Sequence, residues 1–165
     1  MVTRSKGQGG LRVLKLKVHD DALLMKHLHK FYSRADLPWV QLLWDKYYNQ
    51  GTLPVIRKRG SFLWRDVLKL HDQFKGWVNG KLGDGKVIAL WNDMWEGHIL
   101  KLEYPHLFSF AKNQNITVQE AMQAQPFYQL FHSPLSEQAY HQLGDLLSWM
   151  QQLHHSQEVD EWLFM

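Results

Sequence analysis

The 165-residue sequence predicts a mainly α fold, a helical domain with one small β-hairpin at about residues 77–91. Three observations predict it. Apolar residues recur at three- and four-residue spacing in several stretches, each opened by a residue suited to capping a helix. That period breaks around Gly83-Asp84-Gly85, where two β-capable runs flank a glycine-rich turn. Finally, 8 Trp, 6 Tyr and 8 Phe in a chain that is 45% apolar supply a core. Each fully buried large side chain contributes roughly 1.5–3 kcal/mol before conformational entropy is subtracted.

Residues 1–12 are Gly-rich and basic and read as a flexible arm. Val13-Leu14-Lys15-Leu16-Lys17-Val18 reads as a short strand or an extended lead-in. Asp20 or Asp21 then caps a helix to about residue 33, with Leu24, Leu28, Phe31 and Tyr32 on one face. Asp36 caps a second helix to about residue 48, with Pro38 in its first turn and Val40, Leu43, Trp44 and Tyr47 apolar. Asn49-Gln50-Gly51 ends it, and residues 53–60 form a loop. Ser61 caps a third helix carrying Trp64, Val67, Leu68 and His71, a face that Phe74 extends.

The expected hairpin pairs Trp77-Val78-Asn79-Gly80-Lys81-Leu82 with Lys86-Val87-Ile88-Ala89-Leu90-Trp91. A loop over residues 92–102 follows, then a short helix at about 106–112 after Tyr104-Pro105. Thr117-x-x-Glu120 is a capping-box pattern opening another short helix. The last helix spans about residues 136–154, with Ala139, Leu143, Leu146, Leu147, Met150 and Leu153 as its apolar stripe. The expected organisation is one domain over residues 13–155, with residues 156–165 as a C-terminal tail.

With no cysteine, disulfides, thiol catalysis and Cys-type zinc sites are excluded. The first ten residues lack the apolar core of a secretory signal, and the longest apolar runs are too short to span a membrane. A soluble intracellular protein is expected, in nucleus or cytoplasm. The net charge of +3 conceals an asymmetry: residues 1–81 hold 16 Lys/Arg against 6 Asp/Glu, and residues 82–165 hold 3 against 10. A basic half suits a polyanion such as RNA or DNA; the alternative is that the halves neutralise each other in the fold.

No catalytic, metal, cofactor or small-molecule site is expected. Paired aspartates can hold Mg²⁺, but Asp20-Asp21 stands where a helix cap is needed. His27 and His29 point to different faces of a helix, and His154 and His155 diverge, so both pairs read as surface histidines. Gly83-Asp84-Gly85 lacks the Gly-Lys-Ser/Thr ending of a phosphate loop. The candidate nucleic-acid-binding residues are Lys26, Lys30 and Arg34 along one helix face, Arg57, Lys58 and Arg59 in a loop, and Arg65 and Lys69 on the third helix. Trp39, Trp44, Trp64, Trp77, Trp91 and Trp95 are chemically able to stack bases, but most lie on apolar stripes and suit a core. In particular, Trp64, Trp91 and Trp95 are expected to be structural, the last two packing together if the chain turns helical after Trp91.

An ordered series of motifs runs along nearly the whole chain. It reads Gly9-Gly10-Leu11-Arg12-Val13, Asp21-Ala22-Leu23-Leu24-Met25-Lys26, Trp39 to Lys46-Tyr47, and Ser61-Phe62-Leu63-Trp64-Arg65-Asp66-Val67. Gly83-Asp84-Gly85, Leu90-Trp91-Asn92-Asp93-Met94-Trp95, Pro105-His106-Leu107-Phe108 and Asp160-Glu161-Trp162-Leu163-Phe164 complete it. In order and spacing the series resembles the region that follows the polymerase domain in plant non-LTR, LINE-type retrotransposon reverse transcriptases. No single motif is specific; the ordered series is. Arg12 stands where that family usually has glycine, and the resemblance makes the tail at 156–165, with Asp160 to Phe164, the start of a strand that opens a zinc-binding domain and is cut off at Met165. The catalytic aspartates of the polymerase are not among the matched motifs. The resemblance therefore implies a non-catalytic connector or thumb-like segment, from a truncated or decayed reading frame. Two functions remain open: weak contact with RNA or DNA through the basic half, or a structural connector that binds no nucleic acid.

Overall fold

The computed structural model describes residues 16–47, 62–154 and 156–165. It is mainly helical, with a single two-stranded antiparallel sheet among the described residues. The helices are α1 (Leu16–Tyr32), α2 (Pro38–Tyr47), α3 (Phe62–Lys69), α4 (His71–Lys75), α5 (Leu100–Glu103), α6 (Pro105–Ser109), α7 (Val118–Gln123) and α8 (Glu137–Met150). The strands are β1 (Val78–Lys81) and β2 (Glu161–Phe164).

Helix α1 begins earlier than the sequence suggests, so Asp20 and Asp21 lie inside it and do not cap it. Leu and Lys are good helix formers, and Asp20 is exposed, so carrying the helix through this pair costs little. The inward face of α1 is as expected: Leu28, Phe31 and Tyr32 are buried, with Met25, and Leu24 packs against them. The expected caps at Ser61 and the loop over 53–60 lie outside the described residues. The third helix breaks at Leu70 and resumes as α4, which delivers Phe74 to the core. Thr117 and Glu120 form the reciprocal capping box, and Ser136 caps α8 through the Ala139 N–H. Helix α8 buries Ala139, Leu143 and Leu146 and stops four residues short of the expected end.

The sheet is where expectation and structure part. β1 forms where the first hairpin strand was expected, but its partner is β2, with Val78 opposite Phe164 and Lys81 opposite Glu161. Residues 86–91 do not fold back on β1. Ala89 instead bridges Thr117, the Leu90 N–H donates to Ile116 and the Val118 N–H donates to Ile88. Two causes are visible. Val87, Ile88 and Leu90 are all buried, so this run has no solvent face and no in–out alternation. The Val87 N–H, with the Gly83 and Gly85 N–H groups of the turn before it, is also claimed by the Asp160 carboxylate from the far end of the chain. Residues 156–165, expected as a C-terminal tail holding the start of a zinc-binding-domain strand, thus supply the strand that pairs with β1, and Trp162 is among the most deeply buried side chains.

Gly85 sits at φ +70, in the left-handed region that the turn requires. A Cβ there would also stand 2.9 Å from the Gln119 nitrogen. Gly85→Val is expected to cost at least about 1 kcal/mol in urea unfolding; an unchanged midpoint would remove the conformational argument.

Candidate functional site

The expected basic surface is only partly assembled. Lys26 and Lys30, four residues apart, are exposed on the side of α1 away from Leu28, and neither has an ion-pair partner among the described residues. Arg34 does not continue their line. The helix ends at Tyr32, and Arg34 takes a left-handed φ of 47, which turns it inward. Its guanidinium reaches Asp84 at 3.3 Å and lies 4.9 Å from the Trp44 ring centre. The three-residue stripe is therefore a pair, because a helical face exists only where the helix does. Lys69 pairs with Asp66 at 2.6 Å, and Arg65 is exposed on the same short helix. Arg57, Lys58 and Arg59 lie outside the described residues.

The histidines of α1 diverge as helical geometry requires. His27 meets Trp39 edge-on at 5.4 Å, while His29 stacks on Phe164 at 5.3 Å. The His29 Nε2 is 3.2 Å from the Trp162 carbonyl; since a carbonyl only accepts, that nitrogen carries the proton. Among the described residues no group of three metal-ligating side chains comes together. No helix among them is long and apolar enough to cross a membrane.

The polar groups that sequence reading missed are inside. Asp160, 1% exposed, accepts three backbone N–H bonds: Oδ1 from Gly83 and Gly85, both at 2.8 Å, and Oδ2 from Val87 at 3.1 Å. Burial raises its pKa above the ordinary carboxylate value, the three N–H donors pull it back, and Asp84 adds repulsion. Beside it, Lys75 donates to Asp93 at 2.8 Å, and its ammonium lies 3.4 Å from the Trp162 ring centre and 4.2 Å from that of Tyr32. Burial lowers the Lys75 pKa, against which Asp93 and Asp160 work. Asp93 also accepts the Ala89 N–H at 2.8 Å. Asp84 is held by Arg34 and by Lys86 at 2.8 Å. These three carboxylates are thus committed to loop, strand and helix contacts. A signal for two of them was present in the sequence, since Asp93 and Asp160 each stand two residues before a tryptophan within a motif. Being polar, such residues leave no mark in a hydrophobic period.

The expected structural tryptophans are buried: Trp64 at 5%, Trp91 at 1% and Trp95 at 0% exposure. Trp91 and Trp95 do not share a helix face, because the chain between them runs in turns. Trp91 packs against Phe108 and Phe131, and Trp95 against Trp149 while its Nε1 donates to the Leu90 carbonyl. Trp77, in contrast, is half exposed.

His71, in contact with the Tyr32 ring, has its pKa lowered from 6.5 chiefly by burial; the Asp72 hydrogen bond raises it, Lys75 lowers it and Asp93 raises it. The folded state therefore favours neutral His71. The stability this confers is present above pH 6.5 and lost as pH falls through the lowered folded value. Thermal unfolding followed from about pH 7 to 5 is expected to show a steeper fall for the natural chain than for His71→Gln, and equal slopes would overturn the assignment.

Comparison with models of known protein families, with characterised proteins and with solved structures finds no match to this chain.

Proposed function

We propose that the chain is a non-catalytic scaffold segment of the kind that follows the polymerase domain in plant LINE-type reverse transcriptases, and that it contacts RNA or DNA weakly and without sequence preference. The observation that carries the binding half of this reading is the exposed pair Lys26 and Lys30, opposite the core face of α1. Phosphate contact needs no more than such cations at a surface. The scaffold half is supported by where the resembling motifs lie. Trp91, Asp93, Trp95, Asp160 and Trp162 are all buried, so these motifs work as packing residues.

A second reading, a connector that binds no nucleic acid, is favoured by two contacts: Arg34 is neutralised by Asp84, and Lys69 by Asp66. Titration of labelled single-stranded RNA at two salt concentrations separates the two. Binding is expected in the range of about 10⁻⁴–10⁻⁶ M, and Lys26→Ala/Lys30→Ala should lower the salt slope by roughly 1.4, or 0.7 per phosphate contact. Arg34 is left in place because it holds Asp84. Binding that ignores salt, or that the double variant leaves unchanged, leaves the connector alone standing. Primer-extension and nuclease assays with Mg²⁺ or Mn²⁺ should match a heat-killed control; activity above it would overturn the non-catalytic assignment.

A further inference from the structure

Helical geometry sets the surroundings of Lys26 and Lys30. Successive residues of a helix turn by about 100°, so His27 and His29 flank the line that the two lysines make on α1, one on each side. His29 follows Lys26 by three residues and Lys30 follows His27 by three, so each cation has one histidine as a surface neighbour. Each histidine in turn carries a second ring. His27 meets Trp39 edge-on at 5.4 Å, and His29 stacks on Phe164 at 5.3 Å with the planes 20° apart. The exposed side of α1 is thus two cations between two aromatic pairs. His27, His29 and Trp39 are partly exposed, and Phe164 is 56% exposed. Phe164 is nonetheless held in place. His29 covers one side of it, Phe74 meets it edge-on at 6.0 Å, and the bond from His29 to the Trp162 carbonyl fixes the histidine beneath. The carboxylates of the same helix, Asp20 and Asp21, stand at least five residues before Lys26, beyond the reach of helical neighbours.

We propose that this side of α1 binds single-stranded nucleic acid in preference to duplex, with phosphates on Lys26 and Lys30 and unpaired bases stacked on Phe164 and Trp39. The preference rests on the nucleic-acid reading above and adds the form of nucleic acid that the surface selects. Cations that track a backbone, set beside rings that take its bases, are what sequence-tolerant binding of a single strand requires. Every base has a π-face, but in a duplex the neighbouring pairs cover it. A duplex would therefore meet the two lysines and leave Phe164 and Trp39 unused. A single strand can engage both kinds of group at once, because each cation lies beside one of the aromatic pairs. His27 and His29 act as positioning residues, each the inner ring of its pair.

Three probes of equal length, about 12 nucleotides, separate the contributions: a thymidine strand, an abasic strand with the same phosphates, and a duplex. Fluorescence anisotropy with the natural chain is expected to rank the thymidine strand tightest. Its margin over the abasic strand should be about 5- to 150-fold for each stacked base. Phe164→Leu keeps an apolar side chain against His29 and Phe74 but offers no ring face. It should weaken binding of the thymidine strand by a similar factor, with the salt slope and abasic binding unchanged, and Phe164→Tyr should retain the natural affinity. Where Phe164→Leu loses its folded circular dichroism spectrum, the probe comparison on the natural chain decides alone. Equal, salt-dependent binding of the thymidine and abasic strands overturns the proposal and leaves the phosphate contact standing. So does a duplex bound as tightly as the thymidine strand, or a folded Phe164→Leu that binds like the natural chain. Absence of salt-dependent binding to all three probes overturns the nucleic-acid reading as well.

Discussion

Asp160→Ala is expected to destabilise the domain by about 3–5 kcal/mol, a large part of the roughly 5–15 kcal/mol that holds a typical domain folded. The substitution leaves the N–H groups of Gly83, Gly85 and Val87 without their acceptor in a site from which water is excluded. Each such donor costs about 1–3 kcal/mol, and three neighbours do not add fully. The loop cannot retreat to recover its bonds, since the segment leading into β2 lies against it; a Cβ on Gly83 would collide with the backbone of Glu158 and Val159. Asp160→Asn separates shape from chemistry. Its oxygen can still serve Gly83 and Gly85, but its amide then faces the Val87 N–H, donor against donor, so an intermediate loss is expected. Urea unfolding measures both. A loss below about 1 kcal/mol for the alanine variant would mean that the carboxylate does not hold β2 to the turn.

The second large effect is expected at the buried ion pair. Asp93→Ala strands the Lys75 ammonium among Tyr32 and Trp162 without its hydrogen-bonded carboxylate, leaving only the weaker attraction of Asp160, and takes the acceptor from the Ala89 N–H. Breaking a buried pair from one side costs about 3–5 kcal/mol, mostly because the surviving charge stays desolvated. The aromatic faces offset only part of that, at roughly 2 kcal/mol for a desolvated cation–π contact. Lys75→Met in the same background removes the stranded charge, so the double variant should be more stable than Asp93→Ala alone. A double-mutant cycle on unfolding free energies tests this. Additivity within about 0.5 kcal/mol would show that the two groups act separately.

Much of the helical architecture was legible because helices advertise themselves locally. The stripe of α8, its Ser136 cap and the Thr117–Glu120 box depend on residues within a few positions of each other, and each is found where its pattern stands. Trp64 was legible for the same reason, whereas Trp91 and Trp95 are buried as expected but from turns and not from a shared helix face. The basic surface was less so. Lys26 and Lys30 follow from helical spacing, but the extension to Arg34 assumed two more residues of helix than α1 has. Where a helix stops decides whether a cation faces solvent or turns inward to an aspartate.

The sequence by itself determined the mainly helical class, the apolar faces that meet in the core and the placement of the glycine turn at Gly83–Gly85. These rest on side-chain period, capping groups and backbone freedom, all carried by neighbouring residues. Only the tertiary structure decided which strand pairs with β1, where Lys75 finds its counter-charge and what the turn is for. Those outcomes join residues 73 or more positions apart in the case of Asp160 and the turn, and 18 apart in the case of Lys75 and Asp93. The physical reason is that buried donors and charges must find partners wherever folding brings one within reach. A nearby β-capable run loses to a distant carboxylate that can satisfy three N–H groups at once.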